Sequence, residues 1–303
     1  MKFRILIQSG KVLVLASMLM TTACQKDISK LGGSESSDAT AISDSSTVAD
    51  NAYNDVFVNA YYSVADNPRL AAASAASLLL NGRTTTNAVG EMTAQLPLSC
   101  AIYTVDTTAT TFYPVTVTMD FGTDGCTSSI DGLKRQGKII YTFSSPLLFS
   151  GGSVTAVFDH YYVNGYGLQG SCTLRNTTPA DAQGELDFNS VITNGIFSFP
   201  SLTNFHYSHN KTIKITLNQI FNPLDDVYTL TGNSNFTASD GSSLVLTVTT
   251  PLTRTAICPY IGGGVVSFVY NNDIDGTIDF GDGSCDNSAQ LTIGSSTTTI
   301  TLR

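Results

Sequence analysis

The chain has 303 residues, carries a formal net charge of −9 at pH 7 and contains no tryptophan. An acidic chain lacks the basic surface that nucleic-acid binding requires, so nucleic acid is excluded as an expected partner. This length allows one large core or two small ones.

The first residues predict a secretory signal peptide over residues 1–23. Basic residues flank an apolar run over residues 12–20 that is too short to span a bilayer, and a small residue, Ala23, precedes Cys24. The pattern resembles a bacterial lipoprotein signal, although Thr21 stands where leucine is commonest. The resemblance implies that processing leaves Cys24 as a lipid-modified N-terminus. Ordinary secretion without a lipid is the alternative.

A lipid on Cys24 would be the contact of the mature chain with the membrane. Cleavage removes three basic residues and no acidic ones, so the net charge changes from −9 to −12 (−9 − 3). Because an anionic membrane surface repels such a chain, the lipid must provide the anchoring. Gln25-Lys26-Asp27 looks like the export signal of Bacteroidota surface lipoproteins, which implies an outer-membrane lipoprotein at the cell surface, with the periplasmic face as the alternative. Residues 24–46 are rich in small polar residues and predict a flexible tether.

A helical segment is predicted over residues 47–82. Thr47 and Asp50 resemble a capping box, and Pro68 ends the first helix. A second, alanine-rich run over residues 70–80 predicts another helix. The first helix carries one apolar stripe that is expected to pack on the main domain, formed by Ala49, Ala52, Tyr53, Val56, Phe57, Ala60, Tyr61 and Val64.

Residues 83–303 predict an antiparallel β-domain, because from about residue 95 the apolar period changes from 3.6 to 2. The alternating sets include Val115, Val117, Met119 and Phe121; Ile139, Tyr141 and Phe143; and Ile213, Ile215 and Leu217. Five pairs predict tight hairpin turns: Asp131-Gly132, Asn164-Gly165, Asn194-Gly195, Asp240-Gly241 and Asp275-Gly276. The expected fold class is mainly β, an antiparallel meander forming a sandwich or partial barrel, with an N-terminal α-helical segment.

Two similar stretches of this domain predict two disulfides. Asp120-Phe121-Gly122-Thr123-Asp124-Gly125-Cys126 is echoed by Asp279-Phe280-Gly281-Asp282-Gly283-Ser284-Cys285, and each has another cysteine upstream. The separations are 26 and 27 residues (126 − 100 and 285 − 258), so we predict Cys100–Cys126 and Cys258–Cys285 as two copies of one unit. Three connectivities exist for four cysteines. Cys172 is left over and is expected to be a small buried residue.

Three stretches of the β-domain resemble a group of uncharacterised Bacteroidota lipoproteins. They are residues 133–140, 158–165 and 278–286, and the likeness covers roughly residues 98–303 together with the lipoprotein start. Paired cysteines and acid-aromatic-glycine strand ends carry the likeness. The resemblance implies a lipid-anchored, β-rich single domain and implies no activity.

Two clusters are candidates for metal binding, and for neither is a metal predicted. His206 and His209 have an odd spacing, which on a strand points them to opposite faces. The acidic cluster lacks the spacing and the terminal glutamate of a calcium-binding helix–loop–helix, and turn formation explains it better; structural calcium is the alternative. This cluster consists of Asp273, Asp275, Asp279, Asp282 and Asp286.

The sequence predicts no catalytic residue and no cofactor, because it has no nucleophile, metalloprotease or phosphate-binding motif. We therefore expect a lipid-anchored envelope protein whose β-domain has a structural or binding role without catalysis, with an envelope protein or a glycan as partner. The alternative is a surface polysaccharide-binding protein or a glycan-active hydrolase. Carboxylate pairs for sugar hydrolysis depend on spatial distance, and one of the adjacent Tyr161 and Tyr162 is expected to face outward.

Overall fold

The computed structural model describes residues 35–66, 100–107, 113–182, 184–200, 204–217 and 226–302. Within these ranges the chain forms one α-helix, α1, which spans Glu35–Asp66, followed by the strands of a single sheet. No helix in these ranges combines the length and the apolar character that a bilayer crossing requires.

Fourteen strands form one antiparallel sheet. They are β1 Ile102–Thr107, β2 Val115–Asp120, β3 Cys126–Thr127, β4 Lys134–Phe143, β5 Ser153–Val163, β6 Tyr166–Asn176, β7 Glu185–Ser198, β8 Asn204–Thr216, β9 Val227–Ala238, β10 Ser243–Thr255, β11 Gly263–Tyr270, β12 Ile274–Asp282, β13 Ser288–Ile293 and β14 Ser296–Thr301. The order is β1-β2-β4 and then sequentially to β14, while β3 pairs with β4 outside this path. The predicted antiparallel meander is therefore confirmed. β1 and β14 are its two edges, so the sheet is not closed.

The alternating apolar residues face the interior of the sheet, as predicted. In β2, Val115, Val117 and Met119 are buried, and the threonines between them are half-buried. Tyr141 in β4 and Ile215 in β8 follow the same pattern. Because each large apolar side chain removed from water contributes about 1.5–3 kcal/mol, this inner face is a main source of stability.

The sheet curls around α1, which lies inside it. Between Ser45 and Tyr61 every helix side chain is buried except that of Asp50, which is half-buried. Side chains or carbonyl groups of β4 to β9 hydrogen-bond to the helix, and α1 also lies against β12 and β13. The helix is therefore at the centre of the core. Its apolar stripe packs on the β-domain as predicted, and its polar residues are enclosed as well.

A row of β-bulges bends the sheet around the helix. The four ladders from β4 to β8 each contain one register shift. Gly137, His160, Gly170 and Asn194 lie at these shifts, and all four have a positive φ. A Cβ on Gly137 would lie only 1.9 Å from the carbonyl oxygen of His160, so no side chain fits there. Because a bulge bends its strand and increases the local twist, such a row across neighbouring strands curls the sheet.

A buried ionic cluster joins the helix to the sheet. Arg135 in β4 donates from Nε to Asp55 Oδ2 of α1 at 2.9 Å and from Nη1 to Asp131 Oδ1 at 3.1 Å. Tyr161 in β5 donates to Asp55 Oδ2 at 2.8 Å. Burial acts to raise the pKa of Asp131, but the hydrogen bonds and charge of Arg135 outweigh it and lower that pKa. Since a buried charge is tolerated only when it is paired, the cluster fixes the helix against β4 and β5.

The structure contains both predicted disulfides. Cys100–Cys126 closes the β1–β2 hairpin at one edge of the sheet, and Cys258–Cys285 closes the β11–β12 hairpin towards the other edge. Each bond connects a residue that precedes the first strand of a hairpin to one that follows its second strand: Cys126 lies in the short strand β3, and Cys285 lies in the loop after β12.

The two disulfide-closed hairpins also share a local contact at the end of their second strands. In the first, Asp120 Oδ1 accepts a hydrogen bond from the backbone N–H of Gly122; in the second, Asp279 Oδ1 accepts one from Gly281, and both bonds measure 2.9 Å. The side chains of Phe121 and Phe280 are both buried. The sequence likeness therefore corresponds to a local structural likeness.

The helix begins earlier than the sequence predicts. The expected tether over residues 24–46 overlaps α1, which starts at Glu35, and Thr47 is a buried residue inside the helix rather than its cap. Small polar residues disfavour an isolated helix, but from Ser45 to Tyr61 enclosure by the sheet overrides that preference. The described helix runs to Asp66, and Pro68, which is predicted to end it, lies outside the described residues. The signal peptide, Cys24 and the second predicted helix over residues 70–80 lie outside the described residues.

Two of the five predicted hairpin turns lie inside strands. Asn194-Gly195 belongs to β7 and Asp275-Gly276 to β12. A Cβ on Gly195 would lie 2.9 Å from Tyr53 Oη, and one on Gly276 would lie 2.3 Å from Phe268 Cζ. These glycines therefore make room for aromatic side chains. Asn271-Asn272, with positive φ at both residues, makes the β11–β12 turn instead.

Arg135→Met should destabilise the protein by about 3–5 kcal/mol, because it leaves the Asp55 and Asp131 carboxylates buried without a counter-charge. Lys138→Met is the matched control: its ion pair with Asp120 has side chains 43% and 35% exposed, so its loss should cost less than about 1 kcal/mol. Urea unfolding of both variants measures the difference. Equal effects would contradict the role given to the buried cluster.

Peptide mapping under non-reducing conditions should recover Cys100 with Cys126 and Cys258 with Cys285. Replacing both Cys258 and Cys285 by alanine should lower the free energy of unfolding by about 3–4 kcal/mol, because the unfolded chain gains the freedom of the opened loop. The first disulfide should persist in that variant. A peptide joining Cys100 to Cys258 would refute the two-unit arrangement.

Candidate functional site

A cleft opens on the solvent side of the sheet where the ladder between β5 and β6 is interrupted. Val157 pairs with Ser171 and Tyr161 pairs with Leu168, so residues 158–160 of β5 lie opposite only two residues of β6. A bulge of this kind disrupts the local ladder and re-aims side chains. The result is a concavity of about 410 Å³.

Tyr53 of the enclosed helix supports the floor of this cleft from the inside. Its hydroxyl lies 3.1 Å from the carbonyl oxygens of both Gln169 and Ile196, to which it donates. Its ring meets Phe158 edge-on, with 6.2 Å between the ring centroids. Burial raises the pKa of Tyr53, so the hydroxyl remains protonated and keeps its proton for these carbonyls. The helix thereby compensates part of the backbone pairing that the bulges remove.

Tyr162 forms an aromatic wall of the cleft. It pairs with Gly167 on β6, which pairs in turn with Ser198 on β7. A Cβ on Gly167 would lie 2.9 Å from Tyr162 Cε1, so the tyrosine ring extends across the glycine. Tyr162 is half-buried, so part of its ring remains open to solvent.

The polar wall of the cleft is formed by consecutive residues of β5. In a regular strand Asp159 and His160 would point to opposite faces, but both are exposed at the bulge, where His160 has a φ of 48°. Their side chains contact each other, with 2.7 Å between His160 Nδ1 and Asp159 Oδ1. Gln169 and Ser198 complete the polar lining. Among the described residues that line the cleft, only Asp159 carries a carboxylate.

The structure separates the residue pairs that the sequence singles out. Tyr161 is buried while Tyr162 lies in the cleft, so one tyrosine faces outward as predicted. His206 is exposed and His209 is buried, on opposite faces of β8 as their spacing predicts.

Three of the five aspartates of the acidic cluster, Asp279, Asp282 and Asp286, accept local hydrogen bonds from residues two positions on. Asp282 Oδ1 accepts from the backbone N–H and the hydroxyl of Ser284, and Asp286 Oδ1 does the same from Ser288. These bonds are the local turn contacts typical of aspartate. In the part of the chain that the structure describes, no three His, Cys, Asp or Glu side chains converge as metal ligands.

A second polar cluster lies inside the sheet beside the helix. Ser190 Oγ is 2.8 Å from His209 Nε2, His209 Nδ1 is 3.1 Å from Tyr207 Oη, and Tyr207 donates to Asp50 of α1. Lys211 Nζ forms an ion pair with Asp50 at 3.0 Å. The chain of contacts is similar to that of a serine nucleophile and its base, but Ser190 is 2% exposed and His209 4% exposed. A substrate cannot reach them, so the cluster positions α1 against β7, β8 and β9.

Cys172 is buried next to this cluster, as predicted for the unpaired cysteine. Its Sγ lies 3.7 Å from Ser190 Oγ, and burial raises the pKa of the thiol to about 12. Because the thiolate is the reactive form, this cysteine is inert at neutral pH.

The sequence contains one signal for the cleft that its alternation analysis misses. The apolar residues Val154 and Ala156 alternate in one phase and Tyr161 and Val163 in the other, five residues on (161 − 156), and an odd step between two inward positions requires a bulge. No such signal in the sequence places Gln169 and Ser198 in the cleft, because their position depends on how β6 and β7 pair.

Comparisons of the chain with known protein families, with curated proteins and with solved structures found no match.

His209 should make stability depend on pH. Burial, with a smaller contribution from the Lys211 charge, holds its pKa in the folded protein well below 6.5. The unfolded chain therefore takes up this proton first, and stability should fall as the pH is lowered from about 6.5, by at most about 1.4 kcal/mol per pH unit from this group. Urea unfolding at pH 7.5, 6.5 and 5.5 measures the slope.

His209→Gln should flatten that slope, because glutamine does not titrate. The exposed His206→Gln is the control and should leave the slope unchanged. Parallel pH profiles for the wild type and His209→Gln would show that this histidine does not cause the dependence.

Proposed function

We propose that this protein is a lipid-anchored lipoprotein of the cell envelope, held in the outer membrane through Cys24, whose β-domain has a binding or structural role without catalysis. The observation that carries the proposal is the pair of disulfides, Cys100–Cys126 and Cys258–Cys285, because such bonds persist in oxidising compartments. The signal-peptide pattern over residues 1–23 and the position of Cys24 agree with an exported, anchored chain.

The early start of α1 limits the length of chain between the helix and Cys24. Since the helix begins at Glu35, residues 25–34 are the chain available to connect it to Cys24. Even fully extended, that connection reaches at most about 36 Å. The connection between Cys24 and the helix is therefore shorter than a tether over residues 24–46 would be. Display at the cell surface is the orientation favoured by Gln25-Lys26-Asp27.

A non-catalytic role is supported by where reactive groups lie. The serine–histidine contact is buried, the free thiol is buried, and the open cleft has one carboxylate among its described lining residues. Glycoside hydrolysis ordinarily needs two carboxylates that flank the bond. Of the two glycan-related alternatives, the cleft therefore favours a polysaccharide-binding protein over a hydrolase.

Radiolabelled palmitate should be incorporated into the wild-type chain in a bacterial host that processes lipoproteins and should be absent from Cys24→Ala. Cys172→Ala is the control, because its thiol is buried and its loss should leave the label in place. Equal labelling of the wild type and Cys24→Ala would refute the anchor. Protease treatment of intact cells then distinguishes the two faces, since a periplasmic domain is protected.

A further inference from the structure

We propose that the cleft between β5 and β6 binds a short segment of a neutral polysaccharide, with Tyr162 as the stacking surface and the Asp159–His160 pair as the hydrogen-bonding wall. The inference deepens the proposed function and rests on it, since it assigns a site and a ligand class to the binding role of the β-domain.

The size and shape of the cleft suit a small, polar ligand. Its volume of about 410 Å³ lies within the range of about 300–1,000 Å³ that is typical of small-ligand sites. The cleft exists because β5 and β6 separate at their bulge, and Tyr53 supports it from the core. It is therefore built into the sheet rather than formed by mobile loops, which gives a bound ligand a preorganised surface.

The lining chemistry matches a sugar. A pyranose ring has an apolar face of C–H groups and a rim of hydroxyls, so it needs a flat aromatic surface next to donors and acceptors. Tyr162 supplies the aromatic surface, and its ring is held across Gly167 by cross-strand packing. Asp159 supplies acceptors, and His160, Gln169 and Ser198 supply further hydrogen-bonding groups.

The backbone of the cleft is shaped to present this polar wall. The left-handed conformation of His160 is uncommon for a residue with a side chain, and Asp159 and His160 both emerge on the solvent side. Non-glycine residues in such conformations cluster at ligand-binding sites. Their side chains are 51% and 87% exposed, so they are free to contact a ligand in the cleft.

Charge decides between classes of polysaccharide. Asp159 places a negative charge in the cleft, and the mature chain has a net charge of −12 (−9 − 3). A uronic acid or sulfated sugar would bring like charges within a few ångströms of each other. Even with the dielectric constant of water, two such charges about 4 Å apart weaken binding about fivefold, so neutral sugars are favoured.

The test uses the full-length protein in detergent, titrated by calorimetry with neutral hexasaccharides of β-1,4-glucose, α-1,4-glucose, β-1,4-mannose and β-1,4-N-acetylglucosamine, and with hexagalacturonate. At least one neutral hexasaccharide should bind, and hexagalacturonate should bind at least about fivefold more weakly. Absence of binding by every neutral probe, or tighter binding of hexagalacturonate, would overturn the proposal.

Variants then locate the binding to the cleft. Tyr162→Ala should weaken it about tenfold through loss of stacking, whereas Tyr162→Phe should keep most of the affinity. Tyr260→Ala removes another half-buried tyrosine beside the Cys258–Cys285 bond and serves as the control. Asp159→Asn keeps the shape of the wall and should raise the relative affinity for hexagalacturonate. Equal binding by Tyr162→Ala and wild type would overturn the assignment of the site.

Failure of this inference is distinguishable from failure of the proposed function. If the neutral sugars do not bind but palmitate labels Cys24, the cleft assignment is wrong and the anchored envelope protein stands. If a bound hexasaccharide is recovered as shorter products by chromatography, the sugar site stands and the non-catalytic role is wrong. Thermal unfolding of each variant confirms that the compared proteins are folded.

Discussion

The structure depends on enclosing a polar helix inside a β-sheet. A buried carboxylate is tolerated only when it is paired and hydrogen-bonded, and α1 carries two carboxylates that face the sheet, the half-buried Asp50 and the buried Asp55. Lys211 of β8 forms an ion pair with Asp50, and Arg135 of β4 forms one with Asp55. Each pair fixes the rotation and the depth of the helix, so apolar burial provides the driving force and the ion pairs define the position.

The curl that encloses the helix also creates the candidate site. An open antiparallel sheet wraps around a cylinder only if its strands bend, and the bulges from β4 to β8 provide that bending. Each bulge interrupts a ladder and leaves carbonyl groups in need of partners. At Gln169 and Ile196, where the outer face opens into the cleft, the hydroxyl of Tyr53 is the hydrogen-bond partner of the carbonyl oxygens. The row of bulges from β4 to β8 therefore produces both the enclosed core and the cleft, and α1 contacts both.

The two disulfide-closed hairpins stabilise the regions near the ends of the sheet. They lie towards the two ends of the sheet, and each restrains a hairpin that a longer ladder flanks on one side. Edge regions of a sheet have fewer cross-strand neighbours than its centre, so they benefit most from a covalent restraint in an oxidising compartment. Asp-Phe-Gly recurs before the second cysteine of each unit because both hairpins need the same two contacts. The aspartate accepts a hydrogen bond from the backbone N–H of the glycine, and the phenylalanine enters the core.

Local rules determined much of this protein from the sequence alone. Alternation at positions such as Val115 and Ile215 predicted the strands and their inward faces, and the near-equal cysteine spacing predicted both disulfides. The odd offset of His206 and His209 predicted that they lie on opposite faces. All of these features depend on neighbours in the chain. Only the tertiary structure decided that α1 starts at Glu35 and is enclosed by the sheet between Ser45 and Tyr61. It also decided that Gly195 and Gly276 admit aromatic rings rather than turns, and that Gln169 and Ser198 join Asp159 in one cleft. Those outcomes depend on which strands pair and how far the sheet curls, and such long-range geometry is not encoded in any single stretch of sequence.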